Sequence, residues 1–248
     1  MIKITFPDGT IREYEKGITA LQIAEKISSR LAQEVMAATV NGQVCDLTLP
    51  INEDATLKLH KWEDQEAQDT FHHTSSHLLA EALESLYPGV KFGIGPSIED
   101  GFYYDVDLPE PITDSDLKKI ENKMVELARN KEPLVRREVP KAEALANFTE
   151  KGDQYKVELI QEHAGKGEKI SFYKQGEFTD LCAGPHVNYT SKVKAYKLLS
   201  ATGAYWRGNE NNKMLQRIYA ISYPKTSQLE EHINMLEEAK RRDHNKLG

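Results

Sequence analysis

The sequence predicts an α+β protein of two unequal units followed by a C-terminal helix, and three observations carry that prediction. Alternating apolar residues and turn pairs crowd positions 1–60. Helix and strand patterns then alternate from about residue 70 to 220. A charged helical repeat, "TSQLEEHINMLEEAKRRDH", fills the end of the chain. These place unit boundaries at 1–62, 63–224 and 225–248.

In the first unit Ile2, Ile4 and Phe6 alternate, and Asp8-Gly9 reads as a hairpin turn before a second strand ending near Tyr14. Thr19 can cap a helix whose apolar positions are Ile23, Ala24, Ile27 and Leu31. "ATVNGQV" (38–44) reads as another hairpin and "ATLKLHKW" (55–62) as a closing strand. One helix across a small mixed sheet is the ubiquitin-like, β-grasp layout. The polar run 63–69 reads as the boundary.

The second unit opens with a helix over about 70–86, stopped by Pro88-Gly89. Residues 90–108 read as strand, glycine-rich turn and strand. Thr113 and Asp116 form a capping-box start for a helix carrying Leu117, Ile120, Met124 and Leu127. Further strands are expected at 133–139, 155–160, 170–174, 178–182 and 194–200.

Composition narrows the classes. Apolar residues make up 39% and charged residues 29%, enough for a core and a soluble surface. No run approaches the ~18 apolar residues of a membrane span, and "MIKITFPDGT" lacks a signal-peptide layout. Two distant cysteines, Cys45 and Cys182, do not make a disulfide framework, so a cytoplasmic location is expected. With 32 basic and 39 acidic residues the net charge is −7, which disfavours broad nonspecific duplex binding. Local basic runs, "KVKAYK" (192–197) and "VRREVPK" (135–141), read first as solvated faces.

The chemistry-bearing stretches are "TFHHTSSHLLAEAL" (70–83) and "DLCAGPHV" (180–187). On a helix His73 and His77 lie about 40° apart, on one face. Leu78, Leu79, Ala82, Leu83 and Leu86 cluster opposite, and His72 points nearer the leucines. In a strand, Phe178, Asp180 and Cys182 share a face before Ala183-Gly184-Pro185 turns the chain to His186. Together His73, His77, Cys182 and His186 match a four-ligand zinc set. The Glu of a zinc-protease HExxH is missing. Tyr104 reads as a core tyrosine beside Phe102 and Val106, and Lys156 as an edge lysine.

The ordered set "HHTSSHLLAEAL", "GIGPSIEDGFYYD", "DLCAGPHV" and "TGAYWRGNENNKMLQRIY" closely resembles the N-terminal half of bacterial threonyl-tRNA synthetases, over essentially the whole chain. The resemblance implies a TGS domain first, an editing domain next, and then a helix leading toward a catalytic core. The sequence departs from the family's more usual pattern at His72, Ser76, Ala183 and the Ala201-Thr202-Gly203 order. Alanyl-tRNA synthetases share the HxxxH and CxxxH parts and use a metal there.

The resemblance implies an enzyme that hydrolyses serine wrongly esterified to tRNA(Thr). A threonine pocket rejects serine weakly, because one missing methyl is worth only ~1–3 kcal/mol. It implies His73 and Lys156 as catalytic groups, with His77, Tyr104, Asp180, Cys182 and His186 binding or positioning substrate. It implies water and side-chain chemistry without a metal in this part, with ATP, magnesium and zinc confined to the catalytic core. The expected partner is the acceptor end of tRNA(Thr). The fragment is expected to be monomeric and the full enzyme a homodimer. A zinc hydrolase using the tetrad, or a noncatalytic tRNA-docking module, are the competing readings.

Overall fold

The computed structural model describes residues 1–163 and 170–247. Its first strands are β1 (Ile2–Thr5), β2 (Ile11–Tyr14) and β3 (Ile18–Thr19). The β1–β2 connection is a five-residue loop, 6–10, because Thr5 pairs with Ile11. It is therefore longer than the two-residue turn expected at Asp8-Gly9. The single expected helix is two: α1 (Ala20–Ile27) and α2 (Ser29–Glu34). Ser28 leaves helical geometry at φ −163° and caps α2 by accepting the Leu31 N–H. Thr19 and Gln22 form the capping box of α1.

Strands β4 (Ala37–Val40) and β5 (Gln43–Cys45) form the second hairpin, with Asn41 and Gly42 both at positive φ as a two-residue type I′ turn requires. After β6 (Pro50–Ile51), β7 (Ala55–His60) enters the sheet parallel to β1. The order is β2-β1-β7-β4-β5. Ile23 and Ala24 of α1 bury against Ile4, Leu47 and Leu57 in one apolar cluster. This is the β-grasp arrangement.

The larger unit starts with α3 (Gln65–Leu86). It begins five residues before the expected start, so most of the polar run read as a boundary is helix. Thr70, Thr74 and Ser75 each donate to the carbonyl four residues back, and Ser76 donates to that of His73. That satisfies hydroxyls in a helix buried on almost every face from Thr70 to Leu83. The histidine face thus meets a second protein surface.

Strands β8 (Lys91–Phe92), β9 (Ser97–Ile98) and β10 (Gly101–Asp107) follow, then α4 (Asp114–Ala128), which has the expected Thr113/Asp116 capping box. Next come β11 (Val135–Val139), α5 (Lys141–Glu150) and α6 (Gln154–His163). Helix α6 replaces the strand expected at 155–160. Asp153 accepts the Lys156 N–H in the manner of an N-cap, and the buried positions Tyr155, Lys156 and Ile160 follow helical spacing. Helix α5 lies where the sequence pattern predicts no element, and it buries Ala144 and Phe148 at helical spacing.

Strands β12 (Ile170–Gln175) and β13 (Phe178–Leu181) make a three-stranded sheet with β11. Strand β14 (Ala195–Tyr205) runs beyond its expected end and pairs with β15 (Met214–Tyr223), in the sheet order β14-β15-β10-β8. The terminal helix α7 spans Thr226–Lys246. Helix α3 packs against α4 and β10 and supplies Phe71, Leu78, Leu79 and Leu83 to the main core. Met36 of the β-grasp unit joins that core. Lys192, expected on a solvated face, is half-buried and donates to the Val35 carbonyl. In the other basic run Arg136 pairs with Glu138 and Arg137 with Glu143.

Candidate active site

Helix α3, strands β10 and β13 and helix α6 converge on a cavity of about 510 Å³. His73, His77, Tyr104, Lys156, Asp180 and Cys182 line it, together with Gly95 and Pro96 from the glycine-rich turn. Six of the seven residues singled out in the sequence therefore share one cavity. The seventh, His186, is buried directly behind Cys182, with Nε2 3.1 Å from the sulfur.

Two polar networks meet there. The first centres on Asp180, which β13 presents on its buried face beside Phe178. Its Oδ2 accepts the Tyr104 hydroxyl at 2.5 Å, and its Oδ1 lies 3.0 Å from Lys156 Nζ. Lys156 also donates to the Tyr104 oxygen at 3.1 Å. Lys156 and Asp180 are only 4% and 2% exposed, so this is a buried ion pair with added hydrogen bonds, not an edge lysine. Burial alone would raise the Asp180 carboxyl, but Lys156 and His77 hold it below the usual range. Burial, reinforced by the Asp180 charge, pushes the Tyr104 phenol far up, so it remains a donor.

The second network holds the sulfur. Cys182 Sγ lies 3.3 Å from His73 Nε2 and accepts the Gly184 N–H at 3.2 Å. The His186 ring stacks on that of His73, with centroids 4.3 Å apart. On its other side, His186 Nδ1 meets Thr74 Oγ1 at 3.0 Å. The Thr74 hydroxyl gives its proton to the Thr70 carbonyl and accepts the Val187 N–H. It therefore receives the His186 Nδ1–H, which leaves Nε2 as the lone-pair nitrogen facing the Cys182 thiol. Burial raises the Cys182 thiol and lowers the imidazoles: His73 and His186 fall below the usual range, and His77 falls to about 3. The site holds neutral imidazoles and a protonated thiol.

The same side chains fit a metal. One donor atom from each of His73, His77, Cys182 and His186 can be chosen so that all lie within 4.8 Å of one another. The Cys182–histidine distances approach the ~3.4–3.6 Å edge of a zinc tetrahedron. His77 Nδ1 is a buried ring nitrogen without a hydrogen-bond partner among the described residues. His186 already carries an outer hydrogen bond of the kind that orients a ligand.

Several contributors were not singled out from sequence. Asp46, Thr74 and Tyr173 act through contacts made only in three dimensions. Ser76 Oγ lies 2.7 Å from the His73 carbonyl and 2.9 Å from the Gly95 carbonyl, so its one proton is shared between α3 and the turn that floors the cavity. Gly95 lets that turn touch the Tyr104 ring, for a Cβ there would collide with it. His72 stands outside the cavity: it bonds to the Ser222 carbonyl and packs against Trp62.

Comparison with known proteins decides what carries this site. Residues 2–61 match the TGS domain, and residues 170–219 match the threonyl and alanyl tRNA synthetase second additional domain. Its β-grasp unit is similar to a TGS domain, and part of its larger unit to a synthetase second additional domain. Over its whole length it is 58% identical to a threonine–tRNA ligase of Parabacteroides distasonis, covering 38% of that protein. It is 60% identical to one of Porphyromonas gingivalis, again over 38%, and 52% identical to one of Acetivibrio thermocellus, over 39%. The chain thus spans about two fifths of the length of the curated relatives it matches. The second additional domain match contains Asp180, Cys182 and His186. His73, Tyr104 and Lys156 reach the same cavity from outside the matched segment.

Proposed function

We propose that this chain is the editing part of a threonine–tRNA ligase and hydrolyses serine wrongly esterified to tRNA(Thr). The observation that carries the reading is the Lys156–Asp180–Tyr104 network facing His73 across one cavity. It occurs in a chain that shares more than half its residues with threonine–tRNA ligases.

The chemistry needs a water, a base and a place for negative charge. His73 is neutral at pH 7, because burial lowers its pKa, so it can take the proton of an attacking water. The tetrahedral oxyanion then forms beside the Lys156 ammonium. Collapse breaks the ester C–O bond, and His73 returns its proton to the ribose oxygen, releasing serine and free tRNA. Asp180 pairs with the substrate ammonium while Tyr104 orients it. Cys182, backed by His186, forms the wall, and His77 supports His73 by an edge contact with ring centroids 5.1 Å apart. Size exclusion of the extra methyl of threonine supplies the second sieve.

The wider reading assigns ligation, with ATP, magnesium and zinc, to the portion of the relatives that this chain does not span. That portion would also form the homodimer, leaving this chain monomeric. The tRNA(Thr) acceptor end is the partner, and the cytoplasm the compartment.

The deciding experiment is single-turnover deacylation of seryl- and threonyl-tRNA(Thr) at saturating protein. The seryl ester should be cleaved at least about 100-fold faster. Equal rates would exclude editing. The four-donor cluster favours a second reading, in which His73, His77, Cys182 and His186 hold zinc. A bound zinc supplies Lewis acidity and a water of lowered pKa. Metal analysis of chelator-free protein separates the two readings: one zinc per chain establishes the second.

A further inference from the structure

We propose that Asp46, on the β-grasp unit, is a positioning residue for the hydrolytic site: it clamps the turn that carries Cys182 and His186. This extends the editing reading by giving the TGS domain a direct part in it.

Asp46 lies in the turn after β5, which is fixed from inside its own unit. The Leu49 N–H bonds to the Asp46 carbonyl, and the neighbouring Leu47 is buried in the β-grasp core. The Leu47 carbonyl also accepts the Leu21 N–H from the start of α1. A rigid scaffold therefore presents the Asp46 carboxylate across the unit boundary.

Both carboxylate oxygens are used there. Oδ1 accepts the His186 N–H at 2.7 Å, and Oδ2 accepts the Tyr173 hydroxyl at 2.6 Å. These are buried charge-assisted bonds, stronger than neutral ones. Tyr173 adds two constraints. Its ring packs edge-on against the His186 ring with centroids 4.4 Å apart. Its hydroxyl occupies the space over Gly184, where any Cβ would collide with it.

The consequence reaches the chemistry. His186 faces the thiol at 3.1 Å and stacks on His73, so moving its backbone moves both groups that border the attacking water. Without the carboxylate, the His186 N–H and the Tyr173 hydroxyl would be buried without their acceptor. The turn would shift to satisfy them. Asp46 touches no substrate in this scheme and acts through His186 and Tyr173.

The test uses the full 248-residue chain and four proteins: wild type, Asp46→Asn, Asp46→Ala and Tyr173→Phe. Two quantities are read for each. One is single-turnover seryl-tRNA(Thr) hydrolysis, separated into maximal rate and half-saturating concentration. The other is the alkylation rate of Cys182 by iodoacetamide, resolved from Cys45 by peptide mass spectrometry. Asp46→Ala should cut the maximal rate by about 10–100-fold, with half-saturation changed by less than about twofold. Cys182 alkylation should rise about tenfold, because the wall over the thiol loosens. Asp46→Asn keeps an acceptor for His186 and an amide for the Tyr173 oxygen, so it should stay within about fivefold of wild type in both readouts.

Wild-type values for Asp46→Ala in both readouts would overturn the proposal. Equal losses in Asp46→Asn and Asp46→Ala would overturn it too, since hydrogen bonding would then not be the cause. If Asp46→Ala does not fold, Tyr173→Phe carries the test through alkylation alone: a rise of about threefold supports the clamp and no change refutes it. A wild-type chain that leaves the seryl ester intact would refute the editing reading only. The alkylation comparison would still decide whether Asp46 holds this turn.

Discussion

Lys156 Nζ stands 3.0 Å from Asp180 Oδ1, a cation from α6 and an anion from β13 joined inside the cavity wall. Each neutralises what would otherwise be an isolated buried charge. Removing one partner of such a pair typically costs about 3–5 kcal/mol. Lys156→Met should therefore lower unfolding stability by that order, measured by urea denaturation. Lys156→Met combined with Asp180→Asn should regain much of the loss, because no uncompensated carboxylate remains. Equal stability of the wild type and the single variant would remove the pair from the account of this site. In the deacylation assay Lys156→Met should lose about 100-fold or more, the worth of a group that stabilises the oxyanion.

His73 separates catalysis from docking. Its replacement by alanine should lower seryl-ester hydrolysis by about 10²–10⁴-fold, the usual worth of a general base. Affinity for tRNA(Thr), followed by filter binding or fluorescence anisotropy, should stay within about threefold of wild type. Loss of affinity with the residual rate unchanged would instead favour a docking module.

Gly95 offers a steric test of the cavity floor. A methyl group there would meet the Tyr104 ring directly. The ring has no room to retreat, being about 1% exposed and packed edge-on against Phe92. Gly95→Ala should cost about 1–3 kcal/mol of stability by overpacking. It should also reduce hydrolysis, because the Tyr104–Asp180 bond must lengthen. Thermal denaturation and single-turnover kinetics together check this. A variant with unaltered melting and rate would show that the turn yields easily.

Lys192 gives a pH dependence of known sign. Burial alone lowers its ammonium from an ordinary 10.5 to about 8. Between pH 8 and 10.5 the unfolded chain therefore binds more protons at this site than the folded one. Its contribution to stability rises with pH across that window, and its penalty is fully present below pH 8. The wild type should gain stability relative to Lys192→Met as pH increases from 8 to 10, measured by denaturant midpoints at each pH. A flat difference curve would mean that the ammonium is solvated.

The β-grasp unit was legible because its signals are local. Ile2 and Ile4 alternate, Asn41-Gly42 demands positive φ, and Thr19 faces Gln22 across a capping box. The reading failed where local pattern opposed tertiary demand. "YKVELI" alternates like a strand, yet Asp153 starts a helix there and carries Lys156 to Asp180. The polar run before Thr70 reads as a boundary, yet it begins the helix whose Thr and Ser hydroxyls are satisfied by its own carbonyls.

The sequence by itself determined the α+β class, the β-grasp hairpins, the capped helices and the set of seven chemistry-bearing side chains. Those follow from short-range rules, namely periodicity, turn geometry and side-chain chemistry, together with a family resemblance. Only the tertiary structure decided that Lys156 is a buried ion-pair partner, that His186 sits behind the thiol, and that Asp46 reaches it from another unit. Asp46 and His186 stand 140 residues apart, and no local pattern encodes their meeting. Packing two folded units together brings those groups into contact, and burial then sets their charge and their hydrogen bonds.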